Sequence, residues 1–484
     1  MARRSNKSVQ EILLGGTHDD KDRELDKKIT LVTEGFTTTK YCELILRDRT
    51  RLSKENALTA CDYIIDMKRE INPSLNTIRT TIQFFSELCK CVNNKRFEEM
   101  TRDDILLFLD RCRKLDSDDP MHKWINTYNS KRAVLIRFFK WLQYRNVTGD
   151  PDKRNELSVK QRKPKCIQDI PRLNRKEISS YKPTDLWTPQ DDLLFLKYVT
   201  NKRDRCYHMM SRDLSARPHE ILGLRIKDVV FKTVDDGKQY AEVLVNGKTG
   251  SRHIPLIQSI PYIKDWLSDH PSRNNPNSPI FVSLNNQSNG RKRLTINGLY
   301  KIYDDYKNVF FPKLLSVTDP STAISSEDKD KIKALLAKPF NPYVRRHTGL
   351  TEKSTKLKTH TLKQYAGWSI NSGMADKYIH YFGNESCESL LEAYGIVTKN
   401  NTSVDTLNPK KCPNCNEGNT QDARFCSKCR MIMSYEGYQE ALDSQKRKED
   451  EITDLKKRQE RFELLIQSLI DSGQLKPTAI FDNK

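Results

Sequence analysis

No stretch of this 484-residue chain approaches the roughly 18–20 consecutive apolar residues that a membrane span requires. The opening MARRSNKSVQ lacks an apolar core, so no secretory leader is expected. No segment repeats at a fixed period, which argues against a solenoid or propeller. Hydrophobic residues make up 36%, little for a compact enzyme but enough for one with charged helices and tails. Acid is also in short supply. The 64 Asp and Glu face 84 Lys and Arg, leaving a net charge of +20. Such an excess favours polyanionic partners, nucleic acid first and an anionic membrane surface second. A cytoplasmic location is expected, where the 12 cysteines stay reduced.

The length calls for several domains, because single cores rarely grow beyond about 250–300 residues. Residues 1–22 are polar and poorly patterned and read as a flexible tail. From 23 to 148 the periodicity is helical throughout. Ala57, Ala60, Ile64 and Ile65 fall near one face, and so do Ile78, Ile82, Phe85, Leu88 and Val92. Thr101 precedes two acids and an apolar run, as an N-cap does. Leu135, Phe138, Phe139 and Leu142 oppose a basic face. Residues 149–185 lose apolar content and gain prolines and positive charge, which reads as a basic linker lying along something anionic. A mixed α/β domain, mainly α, is expected over 186–400. SARPHEILGLRIKDVVF reads as helix, turn and strand, and KQYAEVLVNGKTGSRHIPL as a hairpin with Lys248 at its Gly-flanked tip.

That domain carries groups suited to breaking a phosphodiester without a metal. The reaction needs a nucleophile at phosphorus, cations on the non-bridging oxygens and an acid for the leaving oxygen. Arginine is the best clamp, since its planar fork matches phosphate and stays charged. Lysine on a hairpin tip is a suitable acid. In chain order the sequence offers Arg217 in SARPHE, Lys248, Arg346 in YVRRHT, Trp368 in AGWS and Tyr378 in MADKYIHYF.

The order Arg, hairpin Lys, Arg-His-Thr, Gly-Trp and Tyr-x-His resembles the tyrosine recombinase, or phage integrase, family. The steps of 22 residues from Arg346 to Trp368 and 10 more to Tyr378 look most like its archaeal members. The resemblance covers about residues 186–397. It implies an all-α, DNA-binding core-binding domain over 23–148 that closes with the catalytic domain around double-stranded DNA. It implies that Arg217 and Arg346 clamp the scissile phosphate and that Lys248 protonates the 5′-oxygen. Tyr378 would form a 3′-phosphotyrosine link, and Glu220 would support Arg217 from behind. Trp368 stands where many members carry His; its N–H donates to phosphate but shuttles no proton. Tyr343 stands where the box usually begins with His, and a phenol is a poor base at neutral pH. Archaeal-type members share that Tyr. Tyr381 is the fallback nucleophile. No ATP or catalytic metal is implied. The family's work in DNA integration on mobile elements implies a nucleoid-associated protein and a homo-oligomer on DNA.

Cys412, Cys415, Cys426 and Cys429 form C-x2-C-x10-C-x2-C, the spacing of a closed, structural zinc ribbon over 408–434. The remaining cysteines show no metal-ligand spacing. A helix over 436–473 carries Ile452, Leu455, Gln459, Phe462, Ile466 and Leu469 at 3,4 spacing, a short coiled-coil seam. Two other readings stay open. One is a non-catalytic DNA-binding accessory protein with a degenerate recombinase domain, motivated by Tyr343 and Trp368. The other is a type IB topoisomerase, which shares nucleophile and clamp.

Overall fold

The computed structural model describes residues 9–36, 40–146, 164–175, 179, 181–234, 239–247, 250–284, 292–317, 324–382 and 406–472. The chain divides into two compact units, 1–180 and 181–484. No described helix is long and apolar enough to cross a membrane.

The first unit is all helical. Its helices are α1 (Val9–Thr33), α2 (Lys40–Arg47), α3 (Lys54–Ile71), α4 (Leu75–Cys91), α5 (Arg102–Asp110) and α6 (Trp124–Asn146). Ser53 caps α3, and Asn72 ends it in the left-handed conformation (φ 43°). Thr101 caps α5 in a reciprocal box with Asp104. The apolar stripes read from sequence converge on an aromatic core. Phe138 lies 4.6 Å from Phe85 and 4.8 Å from Phe97, centroid to centroid.

Two boundaries differ from the sequence reading. Helix α1 starts at Val9, inside the segment read as a tail. Part of the expected linker, 164–175, is strapped to this unit. Ile167 and Ile170 are buried in its core. Arg132 donates to the Ile170 carbonyl at 2.7 Å, and Asn129 and Leu173 exchange two hydrogen bonds. Two isoleucines suffice to dock a segment whose average composition is that of a solvated linker.

The second unit begins with α7 (Pro189–Tyr198), α8 (Lys202–Leu214) and α9 (Pro218–Leu222). Strands β1 (Val229–Thr233), β2 (Gln239–Gly247) and β3 (Gly250–Leu256) form an antiparallel sheet in the order β1-β2-β3. The β2–β3 ladder runs to Gly247↔Gly250, so residues 248 and 249 join the strands. Helices α10 (Ile260–Asp269), α11 (Ile296–Asp305), α12 (Phe311–Leu315), α13 (Ser326–Ala337), α14 (Pro342–Ser354) and α15 (Thr359–Ala366) follow. A single turn, Met374–Asp376, leads into a π-helical turn, Lys377–Phe382. The main core gathers Trp187, Phe195, Tyr303, Phe311 and Phe340. A small separate cluster holds Leu350, Leu362, Ala366, Ala375 and Tyr378.

The cysteine segment folds on two short strands, β4 (Lys410–Lys411) and β5 (Gly418–Asn419). It is anchored to the same unit. Leu407 is buried in the main core, Asp422 pairs with Arg205 at 2.6 Å, and Glu417 pairs with Lys264 at 2.5 Å. Helix α16 (Tyr435–Asp471) follows as one element, as its periodicity implies. Its seam faces solvent: Ile452, Leu455 and Phe462 are all more than half exposed.

Candidate active site

Helix α14 sorts its side chains by the 3.6-residue period. Asn341 caps it, accepting from the Tyr343 and Val344 backbone N–H groups, and Pro342 fits the first turn. Tyr343, Arg346, His347 and Leu350 share one face by the i, i+3, i+4, i+7 rule. Arg345 points elsewhere. It is fully buried, with Nη1 at 2.5 Å from Asp192 Oδ1 and its guanidinium 5.1 Å above the Trp187 ring. Asp192 also holds Arg212 and His208. Burial pushes the Asp192 carboxyl pKa up, but Arg345 and Arg212 outweigh it and hold the group below the ordinary range. The two adjacent arginines therefore have different surroundings, and Arg346 is the one turned toward Tyr378.

Arg346 is pinned by the backbone. Nη1 donates to the Ser215 carbonyl at 2.6 Å and Nη2 to the Ala366 carbonyl at 2.8 Å. Ser215 ends α8 in the left-handed conformation (φ 45°), which turns the chain toward Arg217. This crossing needs the glycine of RRHTG. A Cβ on Gly349 would meet Ser215 Oγ at 2.3 Å and the Arg212 carbonyl at 2.7 Å.

Arg217 caps α9. Its backbone N–H and its Nη1 both donate to Glu220, at 3.0 and 2.9 Å. Glu220 also accepts from Arg252 Nη2 at 2.9 Å. Burial raises the Glu220 pKa, but the bonds from Arg252 and Arg217 outweigh it and leave the group ionised. The support expected of Glu220 thus has this geometry. Arg252 was not foreseen. It sits on β3 on the inward face with Ile254 and Leu256, donates from Nε to the Tyr365 carbonyl at 2.8 Å and ties the hairpin to the end of α15. Its Nη1 has no hydrogen-bond partner among the described residues. A charged residue on the buried phase of an alternating strand was the signal for it.

Tyr378 is 2% exposed. Its ring stacks between Trp368 (5.3 Å, 24°) and His347 (5.6 Å, 25°), and Oη lies 3.0 Å from His347 Nδ1. Trp368 follows Gly367, whose φ of +66° ends α15. The Trp368 ring lies 5.9 Å beneath the Arg346 guanidinium, so Trp368 packs on Tyr378 and Arg346 alike. Arg346 and Arg217 both lower the cost of ionising Tyr378, yet burial is the largest influence and its pKa ends well above the ordinary phenol value. Burial outweighs the two cations. Burial, with Lys377 and Arg346, pushes His347 down to about 3, so it is neutral. Tyr343 is 37% exposed and stands edge-on to His347 at 5.3 Å.

Arg217, Arg346, Trp368, Tyr343 and Tyr378 are thus brought together in one place. Lys248 lies outside the described residues, as do the side chain of Tyr381 and residues 383–405. A cleft of about 700 Å³ opens beside Trp368, with Arg252, His253, Lys353 and Lys356 on its walls and Asp213 as its acid.

The four cysteine sulfurs, Cys412, Cys415, Cys426 and Cys429, lie within 4.8 Å of one another. Tetrahedral zinc–sulfur bonds of about 2.3 Å need sulfurs roughly 3.8 Å apart, so the set fits zinc. The two knuckles match each other. Asn416 N–H donates to the Cys412 carbonyl and Arg430 N–H to the Cys426 carbonyl, with φ of 57° and 62° at the two donors. The Cys412 and Cys426 N–H groups donate to the Glu417 and Met431 carbonyls.

No protein-family model matches the chain, and no curated protein matches it in sequence. Among solved structures the chain is similar to tyrosine recombinases and integrases. One is the XerH site-specific recombinase bound to a palindromic difH substrate, at 15% identity and a TM-score of 0.44, over 73% of this chain and 95% of that one. Another is the Tn1549 transposon integrase in complex with transposon right end DNA, at 13% and 0.43, over 70% and 99%. A third is a lambda integrase dimer bound to a COC′ core site, at 10% and 0.42, over 75% and 86%.

Proposed function

We propose that this chain is a site-specific DNA recombinase of the tyrosine type. It cleaves and rejoins duplex DNA through a 3′-phosphotyrosine link at Tyr378. The observation that carries the reading is that Arg346 and Arg217 both lie near enough to Tyr378 to favour its phenolate, with both guanidiniums preset by backbone or carboxylate contacts. Preset cations stabilise developing phosphate charge without reorganising during the reaction. In this reading the scissile phosphate takes the remaining donors of the clamp. Tyr378 Oη attacks phosphorus as the bond to the 5′-oxygen breaks, and Lys248 on the hairpin tip gives that oxygen its proton. The freed 5′-hydroxyl of another strand reverses the step and regenerates Tyr378.

The +20 charge supports a large phosphate-contact share of affinity, with binding that weakens steeply as salt rises. The basic cleft beside Trp368 supports the same partner. Zinc in the four-cysteine site is assigned a structural role, because four thiolates leave no open position. The exposed α16 seam supports assembly of several protomers on DNA.

The test is adduct formation. The full chain is incubated with a pool of nicked duplexes with randomised arms, in chelator, and run on a denaturing gel. A DNA-linked band is expected. Tight binding without any band supports the accessory-protein reading. Relaxation of supercoiled plasmid without joining of sites supports a topoisomerase.

A further inference from the structure

A tyrosine that attacks phosphorus must first lose its proton, and Tyr343 is badly suited to take it. Tyr343 is itself a phenol, and its ring packs edge-on against His347. The atom in contact with the Tyr378 hydroxyl is His347 Nδ1, at 3.0 Å. We propose that His347 is the base that accepts the Tyr378 proton, and that the transfer waits for a DNA phosphate to enter the clamp. The inference rests on the recombinase reading and goes beyond it, because it names the base and the condition under which it acts.

The surroundings of His347 explain the waiting. Tyr343 and Arg346 face it from its own helix, Lys377 and Tyr378 from the π-helical turn, and Tyr181 from the segment before α7, at 4.9 Å. Among the described residues, the charged groups that act on its ionisation are Lys377 and Arg346, both cations. An imidazolium in this nest is repelled and a phenolate is desolvated, so in the free protein the proton stays on Oη and Nδ1 accepts it. A phosphodiester at Arg346 and Arg217 adds one negative charge beside the imidazole. DNA backbone near Lys377 offsets the second cation. Both changes act on the causes that hold His347 neutral.

The step balances. The Oη–H bond breaks and its proton goes to Nδ1, whose partner Nε2 already carries a hydrogen, giving an imidazolium. The Oη lone pair forms the bond to phosphorus while the bond to the 5′-oxygen breaks. Lys248 protonates the departing 5′-oxygen; in the return direction the attacking 5′-hydroxyl gives that proton back to Lys248, and the imidazolium returns its own to Oη as the bond from Oη to phosphorus breaks.

The experiment is single-turnover adduct formation by the full chain on a nicked duplex recovered from the pool. His347→Asn keeps an acceptor in place but takes no proton at neutral pH. His347→Phe keeps a stacked ring and covers the case in which Asn disturbs the nest. Each form is made with Tyr378 and with 3,5-difluorotyrosine at 378, whose hydroxyl is more acidic. The His347 variants are expected to bind the duplex normally and to react about 10²–10⁴-fold more slowly, the usual worth of acid–base catalysis. The fluorinated side chain is expected to restore about tenfold in the variants and less in the parent. Variants reacting within about threefold of the parent overturn the proposal. So does a defect that fluorination leaves unchanged, since that marks a packing role. A parent that forms no adduct overturns the recombinase reading, and this inference with it.

Discussion

The tyrosine nest and the cysteine ribbon each hold groups that are reactive when ionised, and they keep them in opposite ways. Tyr378 is deep in a dry aromatic cluster, and its proton is retained by burial against two cations. The four thiols sit on two tight turns, two of them fully buried, where backbone N–H groups outweigh burial and favour the thiolate at Cys426 and Cys429. The nest is organised by the whole fold, and in the proposed mechanism its chemistry waits for a charged substrate. The ribbon is organised by eighteen consecutive residues, and the zinc proposed for it would supply its stability. In the proposed reading one region stores a nucleophile and the other a shape.

The largest expected effect separates the two regions. Strong chelation removes about 10–16 kcal/mol of apparent binding free energy from the ribbon. Residues 406–434 should lose their amide protection in hydrogen exchange, while helices α8 and α14 keep theirs. Loss of protection throughout the second unit would show that the ribbon is part of its core rather than docked on it.

The next effect separates neighbours on α14. Arg345→Ala leaves Asp192 buried with less countercharge and should cost about 3–5 kcal/mol in denaturant melts. Arg346→Ala should cost less, about 1–3 kcal/mol for the two buried carbonyls it leaves unpaired, and slow adduct formation about 10²–10³-fold, the worth of one preset charge stabiliser. Equal stability losses would erase the distinction between the two arginines.

A smaller effect is a pH dependence. The His347 pKa is depressed in the fold to about 3, against about 6.5 unfolded. Between these values the unfolded chain binds more protons, so stability rises with pH and is complete above about 6.5. The slope is about 1.4 kcal/mol per pH unit for one such group. His208, lowered to about 4, adds to it. His347→Phe should flatten the profile between pH 4 and about 6.5, measured by urea melts. An unchanged slope would mean that His347 is not held neutral. Smallest of all, Asp422→Ala should weaken ribbon docking by about 1 kcal/mol or less, since that pair is partly exposed.

What the sequence revealed follows the same division. The ribbon was legible because zinc fixes the spacing of its ligands within one short segment. The β2–β3 hairpin and α16 were legible from period and turn residues. The bundle stripes were legible because Ile82, Phe85 and Phe138 repeat at helical spacing and all reach the core. The candidate site residues came through a family resemblance, and five of them gather in the structure, while their electrostatics were not legible. Whether Tyr378 is easy or hard to ionise depends on Trp368 and His347 closing over it, which no local pattern encodes. Arg252 was missed because its partners, Glu220 and the Tyr365 carbonyl, lie 32 and 113 residues away. Part of the linker was misread because composition averages over a segment, and docking needed only Ile167 and Ile170.

The proposed mechanism stands or falls with attack on phosphorus by Tyr378. The most direct measurement is mass spectrometry of the peptide that remains on DNA after adduct formation and protease digestion. A phosphodiester mapped to Tyr378, with no adduct from Tyr378→Phe and a normal yield from Tyr381→Phe, is the predicted result. A link mapped to Tyr381, or an adduct that survives Tyr378→Phe, would contradict it.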